Sequence, residues 1–507
     1  MFEAISSDPF LISTNYDKRL YEIAGKLQPV SIRDQMLRGY MLIKSAIKTN
    51  QIKSGQQLLI VGAGAAGVTA AMLAIEEGIQ TTIIDKEEVA FSLQVGCTTR
   101  WVDPCQYDWP TNHWLLEDFP LPNSIGMMLP WSANNANNIA SQWEFVFNNV
   151  RDTRSDILSF LPFTSLHSWY YPNETIEKVN VELETVEGER STRETKEFDM
   201  VISCVGLGIE TNKCGSCVGF KFWEKDPIEV QNFANIPFYQ PSNDEEYNIL
   251  ISGGGDGALQ DFLRVLIPGS SAKKIYQELT EDIDVKRKLE ELELKIYGIE
   301  DQAHRSFVWN FSDKQDHAIM ALLEESYNEI IDQLFNEDSL RNLVVSTLRR
   351  LTQDRINQIS GLTMMYSCNH FSRCYALNHF LVLLLKKFFE IENQTKVTFL
   401  PGRKVVEMVG ESSHNCGANP LGDDQQKDWC YGNNHTIFIK EKPLCYEPDP
   451  DARNMCSGAF NIIIIRHGIE RDSSLSIFRK DPVGQWENPK SAVLRNRQTI
   501  PYYLHEF

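Results

Sequence analysis

Gln57-Leu58-Leu59-Ile60-Val61-Gly62-Ala63-Gly64-Ala65-Ala66-Gly67 is an apolar run that ends in a glycine-rich turn. Small residues at helical spacing follow over 68–77, and a second run, Thr81-Thr82-Ile83-Ile84, ends on Asp85. The order strand, tight turn, helix, strand, acid is a dinucleotide-binding fingerprint. Gly62 permits the turn, Gly64 lets backbone amides approach a pyrophosphate, and Gly67 lets the helix pack close to the sheet. The helix N-terminus adds partial positive charge where phosphates would lie, with Ala63, Ala65 and Ala66 supplying further bare amides. Asp85 would accept from a ribose diol, and Lys86 lies next to it. A lone GxGxxG is weak evidence; this one has its full context.

Further along, Tyr247-Asn248-Ile249-Leu250-Ile251-Ser252 leads into Gly253-Gly254-Gly255-Asp256-Gly257-Ala258. Gly253, Gly255 and Ala258 occupy the three fingerprint positions, with alanine allowed at the third. The spacing predicts a second nucleotide turn or a structural βα turn of the same shape. No strand ending in an acid or arginine follows it, so NADH and NADPH are not distinguished. Between the turns, 179–184 alternates as a strand, 187–189 reads as a turn, and Met200-Val201-Ile202-Ser203-Cys204-Val205 reads as a buried strand ending at Gly206. Phe460–Ile465 is another buried-strand pattern, ending in Arg466-His467-Gly468.

The rest of the chain bounds the reading. Its 507 residues suit about three domains. The apolar share, 42%, is that of a folded protein, and the net charge of −20 with no basic stretch argues against a nucleic-acid partner. No apolar run is long enough to span a bilayer, and no signal peptide is apparent, so a cytoplasmic protein without a membrane partner is expected. Eleven scattered cysteines fit reduced thiols. Residues 1–56 are expected to be a helical arm, 57–245 a first domain, 246–468 a second, and 469–507 a tail or cap. Residues 272–395 read as mostly helical, an insertion able to receive a protein partner.

Two glycine turns with an apolar strand ending in glycine between them resemble the flavoproteins with two dinucleotide-binding domains, the pyridine-nucleotide reductase and flavin monooxygenase type. Gly253–Ala258 is close to that family's GGGDSA form. Arg100-Trp101-Val102-Asp103-Pro104 with Tyr107-Asp108-Trp109-Pro110 also resembles a group of uncharacterised bacterial FAD/NAD(P)-binding proteins. The resemblance covers under half the chain. It implies an α/β fold with two Rossmann-like dinucleotide-binding domains, a β-meander and a large helical insertion. It implies FAD on the first turn and NAD(P)H on the second. Two departures stand out. The family's later Gly-Asp after a strand is missing, since Gly422-Asp423 lies in a polar loop. Asp85 replaces the more usual glutamate, and aspartate serves an NAD site equally.

Side chains that could add chemistry are few. Cys214-Gly215-Ser216-Cys217 is a CxxC, read either as a redox pair or as coincidence in a cysteine-rich chain. No second CxxC or paired histidine lies near it, so no metal site is expected. His467 ends a buried strand, where it could relay a proton or simply hydrogen-bond. Arg100 could pair with a phosphate and Trp101 could stack on a ring, or both could be structural. The leading expectation is an FAD-dependent oxidoreductase that takes hydride from NAD(P)H. The competing one is a non-enzymatic dinucleotide-binding sensor whose helical region meets a partner.

Overall fold

The computed structural model describes residues 8–23, 31–119, 129–172, 177–206, 208–214, 217–224, 228, 247–308, 313–409, 416–417, 429–430, 435–441, 455–460, 462–468 and 477–478. The chain divides into two compact units. One holds Met1–Cys105, Leu116–Ile209 and Ile469–Phe507; the other holds Gln106–Leu115 and Glu210–Gly468.

The first unit is built on β1 (Leu20–Glu22), β2 (Gln57–Val61), β3 (Gln80–Ile84), β4 (Leu158–Leu161) and β8 (Met200–Ser203). They form a parallel sheet in the order β1-β8-β2-β3-β4. β8 is buried at every position and β2 at all but its first, as strands covered on both faces must be. Between β4 and β8 runs an antiparallel meander of β5 (Thr164–Tyr170), β6 (Val179–Glu187) and β7 (Arg190–Phe198). β6 alternates, and its Val179, Val181 and Leu183 join Leu59, Val61, Ile84 and Val201 in one apolar cluster. The meander therefore packs on a face of the sheet.

Helix α1 (Ile32–Lys48) starts at a capping box, with Ser31 and Asp34 each accepting from the other's backbone. Its Gly39 allows close approach to α2 (Ala65–Glu76), since a Cβ there would lie 2.5 Å from the Ala66 oxygen. A third helix, α3, covers Ala136–Thr153. The expected helical arm is thus only partly helical. Leu20–Glu22 is a sheet strand, three residues long, too short for any periodicity to betray it.

In the second unit β9 (Tyr247–Ser252) is followed by α4 (Asp256–Leu266), α5 (Ala272–Leu279), α6 (Ile283–Val308), α7 (Asp313–Phe335) and α8 (Asp338–Gln358). Then come β10 (Ile359–Tyr366), α9 (Ala376–Ile391) and β11 (Val397–Pro401). A second antiparallel meander of β12 (Arg403–Val409), β13 (His435–Glu441) and β14 (Met455–Phe460) precedes β15 (Ile462–Ile465). The sheet is parallel, in the order β11-β10-β9-β15.

β10 falls within 272–395, which reads as mostly helical. α8 ends at Gln358 and β10 begins at the next residue, with Gly361, third in the strand, the one glycine near the change. Counting each sheet's main strands in chain order gives 3-2-1-4 in both units, the doubly wound α/β order. In both, a three-stranded meander separates the third strand from the fourth. Among the described residues no helix is long and apolar enough to cross a membrane. Residues 469–507 lie outside the described residues apart from 477–478. So does most of 411–434, including Gly422-Asp423.

Candidate functional site

The first glycine turn sits where β2 and β8 end side by side, at the point where the strand order reverses. Such points are where open α/β sheets bind ligands. Gly62 has φ +108°, and a Cβ on it would meet the Cys204 oxygen at 2.6 Å. A Cβ on Gly67 would lie 2.0 Å from the Gly62 oxygen and 3.3 Å from the Cys204 Cβ. Both glycines are therefore demanded by the chain's own packing. Gly64 is different: a Cβ there would meet nothing within 4 Å. It caps α2 without a side-chain hydrogen bond, and the helix has no acid in its first turn. The first-turn amides have no side-chain acceptor and point along a dipole that favours an anion.

Asp85 closes the other side of the turn. Ala63 N–H donates to its Oδ2 (2.6 Å) and Glu87 N–H to its Oδ1 (2.9 Å). Each carboxylate oxygen has about two lone pairs, so each can still accept from a ribose hydroxyl. The Asp85 carbonyl accepts from Thr164 N–H at 2.7 Å, which fixes the residue to the meander's first strand. Lys86 is mostly exposed, and its ammonium is 3.8 Å from Glu87.

Gly206 follows β8 with φ +84° and open space around it. Burial pushes the neighbouring Cys204 thiol up, against the lowering effect of the Arg38 charge, so it stays protonated. Arg100 is buried, and its carbonyl accepts from Ala136 N–H at 2.9 Å. Trp101 is 47% exposed on a two-residue strand paired with Asn134 and Asn135.

The second turn has the same outline and other constraints. Gly253 has φ +149°, and its Cβ would meet the Arg466 oxygen at 2.2 Å. A Cβ on Gly254 would meet the Tyr366 Cβ at 2.9 Å, whereas one on Gly255 meets nothing. Gly255 caps α4, again without a side-chain bond. The third fingerprint position, Ala258, is buried and carries a methyl.

Asp256, in the first turn of α4, directs its carboxylate toward α9. Its Oδ1 accepts from Tyr375 N–H (3.0 Å) and the Asn378 amide (2.8 Å), and its Oδ2 from Gln260 (2.6 Å). Burial raises its pKa, and the three donors only partly offset this. His467 Nε2 lies 2.7 Å from Ser252 Oγ, joining the C-terminal ends of β15 and β9.

Cys214 and Cys217 pair across a two-residue antiparallel ladder. Their backbone is therefore not the helix start that would lower a thiol pKa, and their side chains lie outside the described residues. The first unit thus groups Gly62–Gly67, Asp85 and Gly206. The second groups Gly253–Ala258 with His467.

Sequence reasoning missed the buried ion network beneath the second turn. Arg466 Nε donates to Asp261 (2.7 Å), and Asp261 also accepts from Arg264 (2.8 Å). Arg466 Nη1 donates to the Phe220 carbonyl (2.7 Å), and its guanidinium lies 4.9 Å from the Phe220 ring centroid. The only signal was an arginine placed directly after a buried strand.

No curated protein matches the chain. Among solved structures, a bacillithiol disulfide reductase from Staphylococcus aureus is similar at 11% identity and TM-score 0.36, over 83% of this chain and 78% of that one. A thioredoxin reductase from Lactococcus lactis is similar at 10% and 0.34, over 88% and 96%. An ornithine N-hydroxylase from Kutzneria sp. 744 is similar at 9% and 0.35, over 85% and 86%. At such scores these likenesses do not decide the chemistry. The family model described as an FAD binding domain matches residues 57–99, the stretch that runs from β2 through the first glycine turn to Asp85 and beyond.

Proposed function

We propose that the chain is an FAD-dependent oxidoreductase that takes hydride from NAD(P)H, with FAD on the first turn and NAD(P)H on the second. One observation carries the reading. Within the stretch matching the FAD binding domain, Gly64 leaves open space beside an uncapped helix N-terminus. The protein's own packing gives no reason for that bareness, and a diphosphate does.

The boundaries expected from sequence, 57–245 and 246–468, give way to the two compact units: the first, with Met1–Cys105 and Leu116–Ile209, would be the flavin domain, and the second, with Gln106–Leu115 and Glu210–Gly468, the nicotinamide domain. The Ala63 amide, expected to be bare, is taken by Asp85 Oδ2, so the amides of 64–67 bind the diphosphate, and Asp85 orients the adenosine ribose through its remaining lone pairs. Gly255 and the N-terminus of α4 receive the second diphosphate. His467, tied to Ser252, presents an imidazole at the end of that sheet, where it can hold or pass a proton. Bound flavin supplies two-electron acceptance, and the chain supplies position and solvent exclusion.

The visible spectrum of the purified protein tests this directly. A yellow protein that bleaches on adding NADH or NADPH is expected, and a colourless protein that takes up no added FAD overturns it. The alternative, a dinucleotide-responsive sensor in a cytoplasmic setting, draws support from Leu294 and Tyr297 on α6 and Leu322 on α7. These are 77%, 47% and 63% exposed, in the region expected to meet a protein partner. It predicts dinucleotide binding without turnover of NAD(P)H.

A further inference from the structure

His317, Cys368 and His370 are brought together in the second unit by elements far apart in sequence. His317 stands near the start of α7, while Cys368 and His370 sit on the loop that joins β10 to α9. Their donor atoms all lie within 4.8 Å of one another, and His317 Nδ1 and His370 Nε2 share a 3.1 Å hydrogen bond that a bound ion would replace. Two imidazole nitrogens sharing a tetrahedral ion at about 2.0–2.1 Å stand roughly 3.3 Å apart, close to the observed spacing. Sulfur and nitrogen on such an ion are roughly 3.5 Å apart, so closing the site takes at most about an ångström of Cys368 movement.

The tautomer of His370 is already the ligating one. Its Nδ1 faces the Phe371 carbonyl at 2.7 Å, and a carbonyl only accepts, so Nδ1 carries the proton and Nε2 presents a lone pair. A histidine donating its outer N–H to a backbone carbonyl is the usual support of a metal-bound imidazole. The loop is further braced from behind. Phe371 N–H donates to Glu324 on α7 (2.8 Å), and Gly402 N–H donates to the Cys368 carbonyl (2.8 Å). His370 is buried while His317 and Cys368 are partly exposed, which leaves an entry path and a fourth position for water.

We propose that His317 Nδ1, Cys368 Sγ and His370 Nε2 form a binding site for a borderline-soft divalent cation of the zinc class, with water as the fourth ligand. One thiolate with two imidazoles suits zinc and excludes magnesium and calcium, which take oxygen ligands. Binding releases the Cys368 thiol proton and requires the His317 proton to reside on Nε2. The site would pin the loop that also touches the second glycine turn, because Ser372 N–H donates to the Gly254 carbonyl at 2.8 Å and Tyr375 N–H to Asp256. This inference is independent of which dinucleotide either turn holds.

The test uses the full chain, purified with reductant and without chelator. Elemental analysis and zinc titration against a competing chelator are run on wild type, His370→Gln, Cys368→Ser and His317→Ala, with circular dichroism as a fold control. One zinc per chain is expected, with affinity falling at least about tenfold in each variant. Magnesium should give no saturable binding. Cobalt(II) added to the wild type should give a thiolate charge-transfer band that Cys368→Ser abolishes. His317 lies on a partly exposed helix face, so His317→Ala is the variant to rely on should a loop variant fail to fold. Either of two results overturns the site: wild type that binds no zinc below millimolar concentration, or folded His317→Ala that binds it as tightly as wild type.

Discussion

The two glycine turns are alike in strand order and in the open space at their middle glycine, and differ in what holds them. The first is closed by a carboxylate on the next strand, Asp85, and by a glycine at its third position that has no room for a methyl. The second carries that methyl at Ala258, places a buried carboxylate in its helix's first turn, and rests on the backbone of Arg466. The same outline thus encodes two degrees of tolerance. In the first turn the helix is pressed against the turn itself, and its N-terminus is left without any acid. In the second, helix α4 is held by α9 through Asp256 and by the buried Arg466–Asp261 pair.

That contrast is broken most forcefully at the third fingerprint position. Gly67→Ala puts a methyl 2.0 Å from a backbone oxygen, so the helix or the turn must move. A cost of about 3 kcal/mol is expected, at the upper end for overpacking. The reciprocal change, Ala258→Gly, removes a buried methyl and adds backbone freedom, for about 1–2 kcal/mol. Calorimetric melting of both variants checks the ranking. Equal losses would show that the two helices approach their turns equally closely.

The middle glycines sharpen the comparison by sparing the fold. Neither Gly64 nor Gly255 has a neighbour within 4 Å of its Cβ direction, so valine fits both without a clash. Replacing glycine by valine at an N-cap costs about 1 kcal/mol or less of helix stability. Gly64→Val should lower FAD affinity by about tenfold or more, equivalent to 1.4 kcal/mol, and leave NAD(P)H binding alone. Gly255→Val should do the reverse. Flavin absorbance per chain and the half-saturating nicotinamide concentration read the two effects separately. A crossed result would exchange the assignments of the two turns.

Both turns were legible because glycine spacing is a local code: each glycine answers to a backbone a few residues away. The buried strands were legible for the same reason, as unbroken apolar runs. What escaped depended on distant partners or on missing punctuation. β10 follows α8 directly and lies between two helical runs, 339–359 and 375–389, so the block 272–395 reads as mostly helical with the strand hidden inside it. β1 is only three residues long. Asp256 reads as part of a phosphate turn, yet its partners at the N-cap and in the first turn of α9 are 119 and 122 residues away. His317 and His370 are 53 residues apart, so no motif spacing joins them. The expectation of no metal site rests on the absence of a second CxxC or a paired histidine near Cys214 and Cys217, and such spacing does not register a helix meeting a loop.

Asp256 gives the comparison a pH signature. Its folded pKa is raised above the ordinary 3.8, chiefly by burial, so the folded state binds this proton more tightly than the unfolded one. The group therefore weakens the fold most above its folded pKa. The penalty shrinks as pH falls through that value and disappears below 3.8. Asp256→Asn keeps one acceptor and removes the titration. Relative to wild type, the variant should gain stability as pH rises through the folded pKa and lose that advantage as pH falls toward 3.8. Melting temperatures measured against pH give the sign, and a constant offset at all pH values would mean that burial does not govern this carboxylate.

The smallest effect is expected at His467, and it separates the two units most cleanly. The imidazole is exposed and hydrogen-bonds Ser252 Oγ of the second unit. His467→Phe removes that bond while Ser252, which is buried, loses a partner. A lost neutral hydrogen bond costs about 1 kcal/mol, so nicotinamide affinity or the rate of flavin bleaching should change about fivefold. Flavin content is expected to stay unchanged, because the contacts described at the first turn are made with Cys204 and Asp85 of the first unit. Stopped-flow bleaching with matched absorbance spectra reads both quantities from one sample. Loss of flavin in this variant would mean that the two turns do not act as separate sites, and the division of labour between them would have to be abandoned.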